Sequence, residues 1–349
     1  MSHGGRGPAP DKTLASGLTI LREKYRHLLE ARRRGAEELA RTYPWLHVHQ
    51  AARYIELFGE RGARRFLTVT DSQVAKSIRV NTLKTTPSTL RRRLERRGFR
   101  LRDHPYLSYG LIVEEAPYSP GASLEYLVGY YTIQGPASMM AVPAMEPVDG
   151  DVVDLCAGAG VKTTQIAQHS PDARITAFDI SRRKLAALKN NASRLGVDNI
   201  IAYNMDATNS VELLGRMSQD NVLLDAPCSG EGLLPFQKGR WPRSFEDIIS
   251  RMLVQYRLAV TAARLLRKGG TLVYSTCTVS VEENEYLLSL VLRAEAGLEP
   301  EKPPIRGGSE GITDYLDLPI DERLRGACRR FFPHIHGTEG FTICRLRRR

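Results

Sequence analysis

Two cysteines stand at strand ends, where an α/β protein places its chemistry. Asp225-Ala-Pro-Cys228-Ser-Gly-Glu-Gly232 follows the apolar run Val222–Leu224, the pattern of a buried strand opening into a Gly-rich loop. Thr271-Leu-Val-Tyr-Ser275 reads as a second short strand, and Cys277 lies just beyond its end. The repeated context predicts one shared site. The five cysteines, at positions 156, 228, 277, 328 and 344, are odd in number, widely spaced and without a C-x-x-C pair. That argues against a disulfide framework or a zinc site and leaves single reactive thiols. Cys156, Cys328 and Cys344 are expected to be small buried hydrophobes.

A second constellation suits a nucleotide-like ligand. Val152-Val-Asp-Leu155 reads as a strand, followed by Cys156-Ala157-Gly158-Ala159-Gly160-Val161-Lys162 and a helix to His169. Gly158 and Gly160 let the backbone approach a ligand, and the helix start offers free N–H groups. A dinucleotide fingerprint would need glycine at Thr163, and a P-loop would need it at Val161. Asp179, after the strand Arg174–Phe178, is placed to bind ribose hydroxyls, and Asp206, after Ile200–Tyr203, to receive an adenine amino group. Either acid alone can be a helix cap, Asp179 preceding the good N-cap Ser181. With Asp225 they make three strand-end acids in series, which predicts a nucleoside.

The elements that must position these groups fall into three stretches. Residues 1–74 read as a basic helical region: a disordered start over residues 1–15, an amphipathic helix beginning near Leu18, and a second helix over Val48–Phe58 closed by Gly59. Residues 75–130 read as a small α+β module with strands near Ser77–Asn81, Phe99–Leu101 and Gly110–Val113, and a basic helix from Pro87 to Arg97. Residues 131–349 read as the third stretch, in which strands and helices alternate from residue 150, the pattern of a doubly wound parallel sheet. The net charge is +11, with arginines clustered at residues 32–34, 91–97 and 345–349, which fits a nucleic-acid partner. No apolar run approaches a membrane span and no signal peptide is visible, so the expected location is cytoplasmic. His334 and His336, beside Phe331 and Phe332, are expected to be core or surface histidines rather than ligands.

The motifs together resemble the RNA cytosine-5 methyltransferases of the NOL/NOP/Sun family, over residues 75–349. The family's D-x-C-A-A-P-G-G-K-T appears as Asp154-Leu-Cys-Ala-Gly-Ala-Gly-Val-Lys162-Thr163, and its D-A-P-C-S-G as Asp225–Gly230. Its S-T-C-[ST] with a downstream E-N-E appears as Ser275-Thr-Cys277-Thr278 and Glu283-Asn-Glu285, and its final strand pair as Pro333-His334 with Gly340-Phe-Thr-Ile-Cys-Arg-Leu346. Gly158-Ala159 and Val161 depart from the usual Ala-Pro and second Gly. The resemblance implies a Rossmann-like domain that uses S-adenosylmethionine, with cofactor contacts from Cys156 to Lys162 and from Asp179, Lys184, Asp206 and Asp225. It implies an RRM-like RNA-binding module at residues 75–130, without an evident PUA module. Cys277 becomes the nucleophile that adds to C6 of cytosine and Cys228 the second catalytic thiol. Asp225 is placed to relieve charge at N3, and Lys162 to orient Asp225 and lower the pKa of a nearby thiol. Pro227 would stiffen the turn between Asp225 and Cys228. The expected substrate is RNA, tRNA ahead of rRNA, with no metal. The competing readings are a non-catalytic RNA-binding protein on the same fold and a DNA cytosine methyltransferase whose nucleophile would be Cys228.

Overall fold

A computed structural model describes residues 11–69, 73–233 and 244–349. Asp11 caps the first helix by accepting from Leu14 N at 2.9 Å, and α1 runs over Lys12–Thr42. Residues 11–15, expected to be disordered, are therefore ordered, and the rest of that stretch, residues 1–10, lies outside the described residues. The second helix, α2, spans Val48–Thr68. Gly59 does not close it: at φ +68° it kinks the chain, which then continues helical. Leu14, Leu18 and Leu21 of α1 join the main core, so these helices pack on the large sheet.

The α+β unit holds β1 (Lys76–Val80), α3 (Pro87–Glu95), β2 (Arg100–Asp103), β3 (Gly110–Glu115), the short α4 (Leu124–Leu127) and β4 (Tyr131–Ile133). Thr86 caps α3 with Pro87 at its first position, as the sequence favours. The strands form an antiparallel sheet in the order β2-β3-β1-β4. Because β4 pairs with β1, through Arg79 opposite Thr132 among others, the unit extends past residue 130.

The large sheet has the core strands β5 (Asp151–Asp154), β6 (Arg174–Phe178), β7 (Ile200–Tyr203), β8 (Gln219–Asp225) and β9 (Leu266–Thr276), all parallel. Between them run α5 (Val161–His169), α6 (Arg182–Leu195), α7 (Ser210–Leu214) and α8 (Phe245–Leu265). After β9 come a π-helical turn at Glu282–Tyr286, α9 (Leu287–Ala294), β10 (Leu298–Pro300), β11 (Ser309–Glu310), α10 (Leu324–Ala327), β12 (Cys328–Phe331), α11 (Pro333–His336) and β13 (Phe341–Arg348). The order is β11-β12-β13-β9-β8-β5-β6-β7, with β10 on β13 and the strands from β10 onward antiparallel. Alternate residues of each core strand face opposite layers, the period-two rule of a strand. Val153, Val222, Leu224, Leu272 and Tyr274 pack with α1, α8 and α9, whereas Val152, Leu223 and Val273 pack with Ile166 and Ala167 of α5. This is the expected doubly wound fold.

Three expectations change. Pro333-His334 opens the short α11, and the C-terminal strand pair is β12 with β13. Cys328 and Cys344 are not reduced hydrophobes: they are register partners across β12 and β13, their Cα atoms 4.1 Å apart, and form a disulfide. An odd count hid this, because one pair and three free thiols also sum to five. The C-terminal arginines are largely taken up by the fold. Arg345 is buried against Glu301 and the carbonyls of Ala144 and Glu146, Arg347 and Arg349 pair with Glu301 and Glu299, and Arg348 donates to Ala263 O. No helix among the described residues is long and apolar enough to cross a membrane.

Candidate active site

Strands β8 and β9 run side by side in parallel with Asp225 opposite Ser275, so the loops that leave them start together. Their register brings the two thiols together: Cys228 Sγ lies 3.2 Å from Cys277 Sγ. The loops are tied by Ala226 N to Ser275 O at 2.8 Å and by Gly232 N to Cys277 O at 3.0 Å. Gly232 is required here, because a Cβ on it would fall 2.1 Å from Gly340 O. The hydrogen bond with Cys277 and burial push the Cys228 thiol well above its ordinary value, and burial does the same to Cys156. The expected lowering of a nearby thiol by Lys162 is therefore absent at Cys228. The Lys162 ammonium is spent elsewhere, donating to Asp225 Oδ2 at 2.7 Å and lying 5.0 Å from the centre of the Phe341 ring. Ser275 Oγ donates to the other Asp225 oxygen at 2.8 Å.

Behind the thiols opens a cavity of about 1210 Å³. Every expected site residue except Gly160 lines it: Cys156 to Ala159, Val161, Lys162, Asp179, Lys184, Asp206, Asp225, Cys228 and Cys277. Gly160 instead takes φ +80° as the residue before α5, and a Cβ there would strike Leu188 at 2.6 Å. The fit of a nucleoside carrying a sulfonium can be tested on these walls. Gly158, at φ +56°, has no atom within 4 Å of where a Cβ would stand, so the loop opens freely to the cavity. Asp179 holds that loop, accepting from Gly158 N at 3.0 Å on one oxygen and from Ser181 N at 2.7 Å on the other. A carboxylate has about four acceptor sites, so lone pairs remain for ribose hydroxyls. Ile180, 76 % exposed, offers an apolar face in the same wall. Asp206 caps a turn with Oδ1, accepting from Thr208 N and Oγ1 at 2.9 and 2.8 Å, and leaves Oδ2 available. Lys184 stands 4.0 Å from Asp179. The residues fit the group.

Several residues around the site receive no role from the sequence, although Asp154 and Glu285 lie in its motifs. Asp154 is buried beneath the loop, accepts from Thr163 Oγ1 at 2.7 Å and Cys156 N at 3.2 Å, and is pushed up to about 6 by burial. Arg79 of β1 is fully buried and donates to Gln134 Oε1 and Val161 O, each at 2.6 Å, and to Thr164 Oγ1 at 3.0 Å. It thereby joins the four-stranded sheet to the start of α5. Arg53 of α2 reaches under the Cys228 loop, 2.6 Å from Glu231 and in a two-bonded fork to Glu282 at 2.8 Å. Burial alone would raise Glu282, but Arg53 overrides it and holds the carboxyl at about 2. Glu285 pairs with Arg330 at 2.7 Å, both fully buried. Nearby, His334 packs edge-on against Phe58 with centroids 4.8 Å apart, and His336 Nδ1 accepts from Phe332 N at 2.8 Å. Neither enters the cavity. Among the described residues no group of three or more acids, histidines and cysteines could hold a metal.

A parallel sheet wound on both sides, with a glycine turn after its first strand and acids after the next, defines a Rossmann-like methyltransferase. The model of the 16S rRNA methyltransferase RsmB/F family matches residues 142–347, and that of the N-terminal domain of 16S rRNA methyltransferase RsmF matches residues 49–136. The chain belongs to this family, the Sun family of S-adenosylmethionine-dependent RNA cytosine-5 methyltransferases. It is 33 % identical to a 26S rRNA (cytosine-C(5))-methyltransferase of Caenorhabditis elegans, over 85 % of this chain and 46 % of that protein. It is 37 % identical to a tRNA (cytosine(72)-C(5))-methyltransferase of Pyrococcus horikoshii, over 63 % of this chain and 53 % of that one. The chain thus spans about half the length of the curated relatives it matches. Among solved structures, a methyltransferase homologue from Pyrococcus horikoshii superposes with a TM-score of 0.79 at 32 % identity, covering 90 % of this chain and 99 % of that one.

Proposed function

We propose that this chain methylates C5 of cytosine in RNA through a covalent adduct between Cys277 and C6. The observation that carries the reading is the pair of thiols 3.2 Å apart at the mouth of a cavity whose far wall suits S-adenosylmethionine. C5 of cytosine is a poor nucleophile. Addition of a thiolate at C6 turns it into an enamine carbon, and the cofactor supplies the electrophilic methyl group that this carbon takes. Asp225, braced by Lys162 and Ser275, is the group for N3, where it shares a proton as charge enters the ring. Cys228 serves the later removal of the C5 proton, as a thiolate once Cys277, whose hydrogen bond is the first cause of its raised pKa, is bonded to C6, or through water, after which Cys277 leaves. The location in this reading is the cytoplasm.

The RNA class we place first is tRNA, on the ground that one chain carries both the cleft and a four-stranded module with an exposed basic helix. In that helix Arg93 stands 5.2 Å over the Tyr130 ring. Ribosomal RNA is the second reading, favoured by the 16S rRNA families whose models match both parts of the chain.

Incubation of the purified chain with labelled cofactor and unmodified tRNA or ribosomal RNA transcripts, followed by mapping of 5-methylcytosine, tests both. Label in tRNA cytosines supports the first reading and label in ribosomal RNA alone the second. Label in neither, with cofactor bound, points to a non-catalytic RNA-binding protein. Cys277→Ala should abolish turnover and adduct, whereas Cys228→Ala should leave RNA covalently attached on a denaturing gel. The mirror image would move the nucleophile to Cys228.

A further inference from the structure

The peptide units on both sides of Cys228 are held by one buried pair of side chains. Gln255 of α8 donates from Nε2 to the Pro227 carbonyl and to Glu283 Oε1, each at 3.0 Å. Glu283, in the π turn, accepts from Ser229 N on Oε1 at 2.8 Å and from Ser229 Oγ on Oε2 at 2.5 Å. Ser229 Oγ also meets Thr278 Oγ1, the side chain next to Cys277, at 2.8 Å. The backbone of Glu283 is fixed as well, its carbonyl accepting from Tyr274 OH at 2.6 Å and its N–H donating to Ser280 Oγ at 3.2 Å. Gln255 and Glu283 are both 0 % exposed.

A carboxyl group costs free energy to bury, and among the described residues no cation is paired with Glu283 to offset it. The neighbouring guanidiniums are committed elsewhere, Arg53 to Glu231 and Glu282 and Arg330 to Glu285. What Glu283 does provide is two acceptors in a fixed fork, aimed at the residue after Cys228 and, through Ser229, at the neighbour of Cys277. An apolar side chain of the same volume would fill the space and leave Ser229 N unsatisfied and its loop free to shift.

We propose that Glu283, together with Gln255, is a positioning residue for Cys228: it sets the distance of that thiol from Cys277 and from a ring bound to Cys277. The inference rests on the division of labour between the thiols proposed above, and it places the effect in one step. In that step the C5–H bond breaks and its proton passes to Cys228 as a thiolate, its own proton having gone to solvent, or to a water beside it. The electron pair restores the C5–C6 double bond, and the C6–S bond to Cys277 breaks to release the thiolate. Addition of Cys277 at C6 needs no contribution from Cys228 and should be spared.

The test compares Glu283→Gln and Gln255→Ala with the wild type and Cys228→Ala, as full chains, on the transcript that accepts methyl in the wild type. Glu283→Gln keeps the shape but replaces one acceptor by a donor. Gln255→Ala removes the clamp from the other side, so a folding failure in one leaves the second. Both should lower kcat about tenfold or more, a share of the ~10²–10⁴ typical of positioned acid–base groups. KM for RNA should fall with kcat, because the slowed step follows formation of the covalent bond, and cofactor affinity by calorimetry should stay within about twofold. RNA-linked protein on a denaturing gel should rise toward the level of Cys228→Ala, which a merely structural lesion would not produce. If Cys228→Ala accumulates the linked species and neither clamp variant does, the clamp proposal falls alone. If Cys228→Ala accumulates none, the reading of the two thiols falls with it.

Discussion

Ser275 Oγ donates to Asp225 Oδ1 at 2.8 Å across the β8–β9 register, while Lys162 Nζ donates to Oδ2 at 2.7 Å. The carboxylate is therefore oriented by one neutral and one charged donor. Asp225→Asn must turn an NH₂ group toward one of them. Turnover should fall by about 10²–10⁴-fold while the fold is kept, since the change is isosteric. Single-turnover methyl transfer measures it, and a fall smaller than tenfold would remove Asp225 from the chemistry.

Arg53→Met should destabilise the chain strongly. The guanidinium is the buried cation shared by Glu231 and Glu282, and breaking a buried pair from one side costs about 3–5 kcal/mol. Urea unfolding checks this, and an unchanged midpoint would mean the network is not held together by charge. Acid should narrow the difference: Glu282 sits at about 2 in the folded chain, so its share of the stability is present at neutral pH and lost as pH falls toward 2.

Replacing Cys328 and Cys344 together by alanine should lower stability by about 3 kcal/mol, the chain-entropy value for closing a loop of this length, here 16 residues. Intact mass under non-reducing conditions supplies the control. A wild-type mass two hydrogens higher than the disulfide form predicts would show the pair to be reduced.

Burial lowers the His334 pKa to about 4, with Arg65 and His336 adding to the shift. The unfolded chain then binds more protons below its own value of about 6.5, so wild-type stability should drop as pH falls from 6.5 to 4. Relative to His334→Gln, which does not titrate, the wild type should lose ground through that window. Parallel unfolding curves at pH 7 and pH 4.5 settle it, and a pH-independent difference would count against a neutral, half-buried imidazole.

Much of the sheet was legible because its core strands are short apolar runs with turn chemistry at both ends. Arg174–Phe178 and Ile200–Tyr203 fall where the sequence puts them. The meeting of Cys228 and Cys277 was legible too, since two similar strand ends in a parallel sheet are natural neighbours. What stayed hidden depends on long-range pairing. Glu283-Asn-Glu285 was legible as a motif, but its burial was not: the approach of Arg53 to Glu282 and of Arg330 to Glu285, far away in sequence, accompanies the burial of these acids. Arg79 likewise reads as one arginine among many in a basic module. The disulfide depends on the register of β12 against β13, which no count of cysteines reveals.

Two compact units joined by a chain segment ordinarily move against each other, and a hinge between them is the usual way to admit a large substrate. Arg79 opposes such a hinge. Its guanidinium grows from the four-stranded sheet, where Gln134 accepts from it, and reaches Val161 O and Thr164 Oγ1 of α5, so rotating one unit away from the other would strip a buried cation of those two acceptors. These contacts tie the cleft and the module together. In the proposed reaction the deformation that brings a cytosine to Cys277 would then fall to the RNA, and an unpaired or easily opened position is the site expected to be favoured.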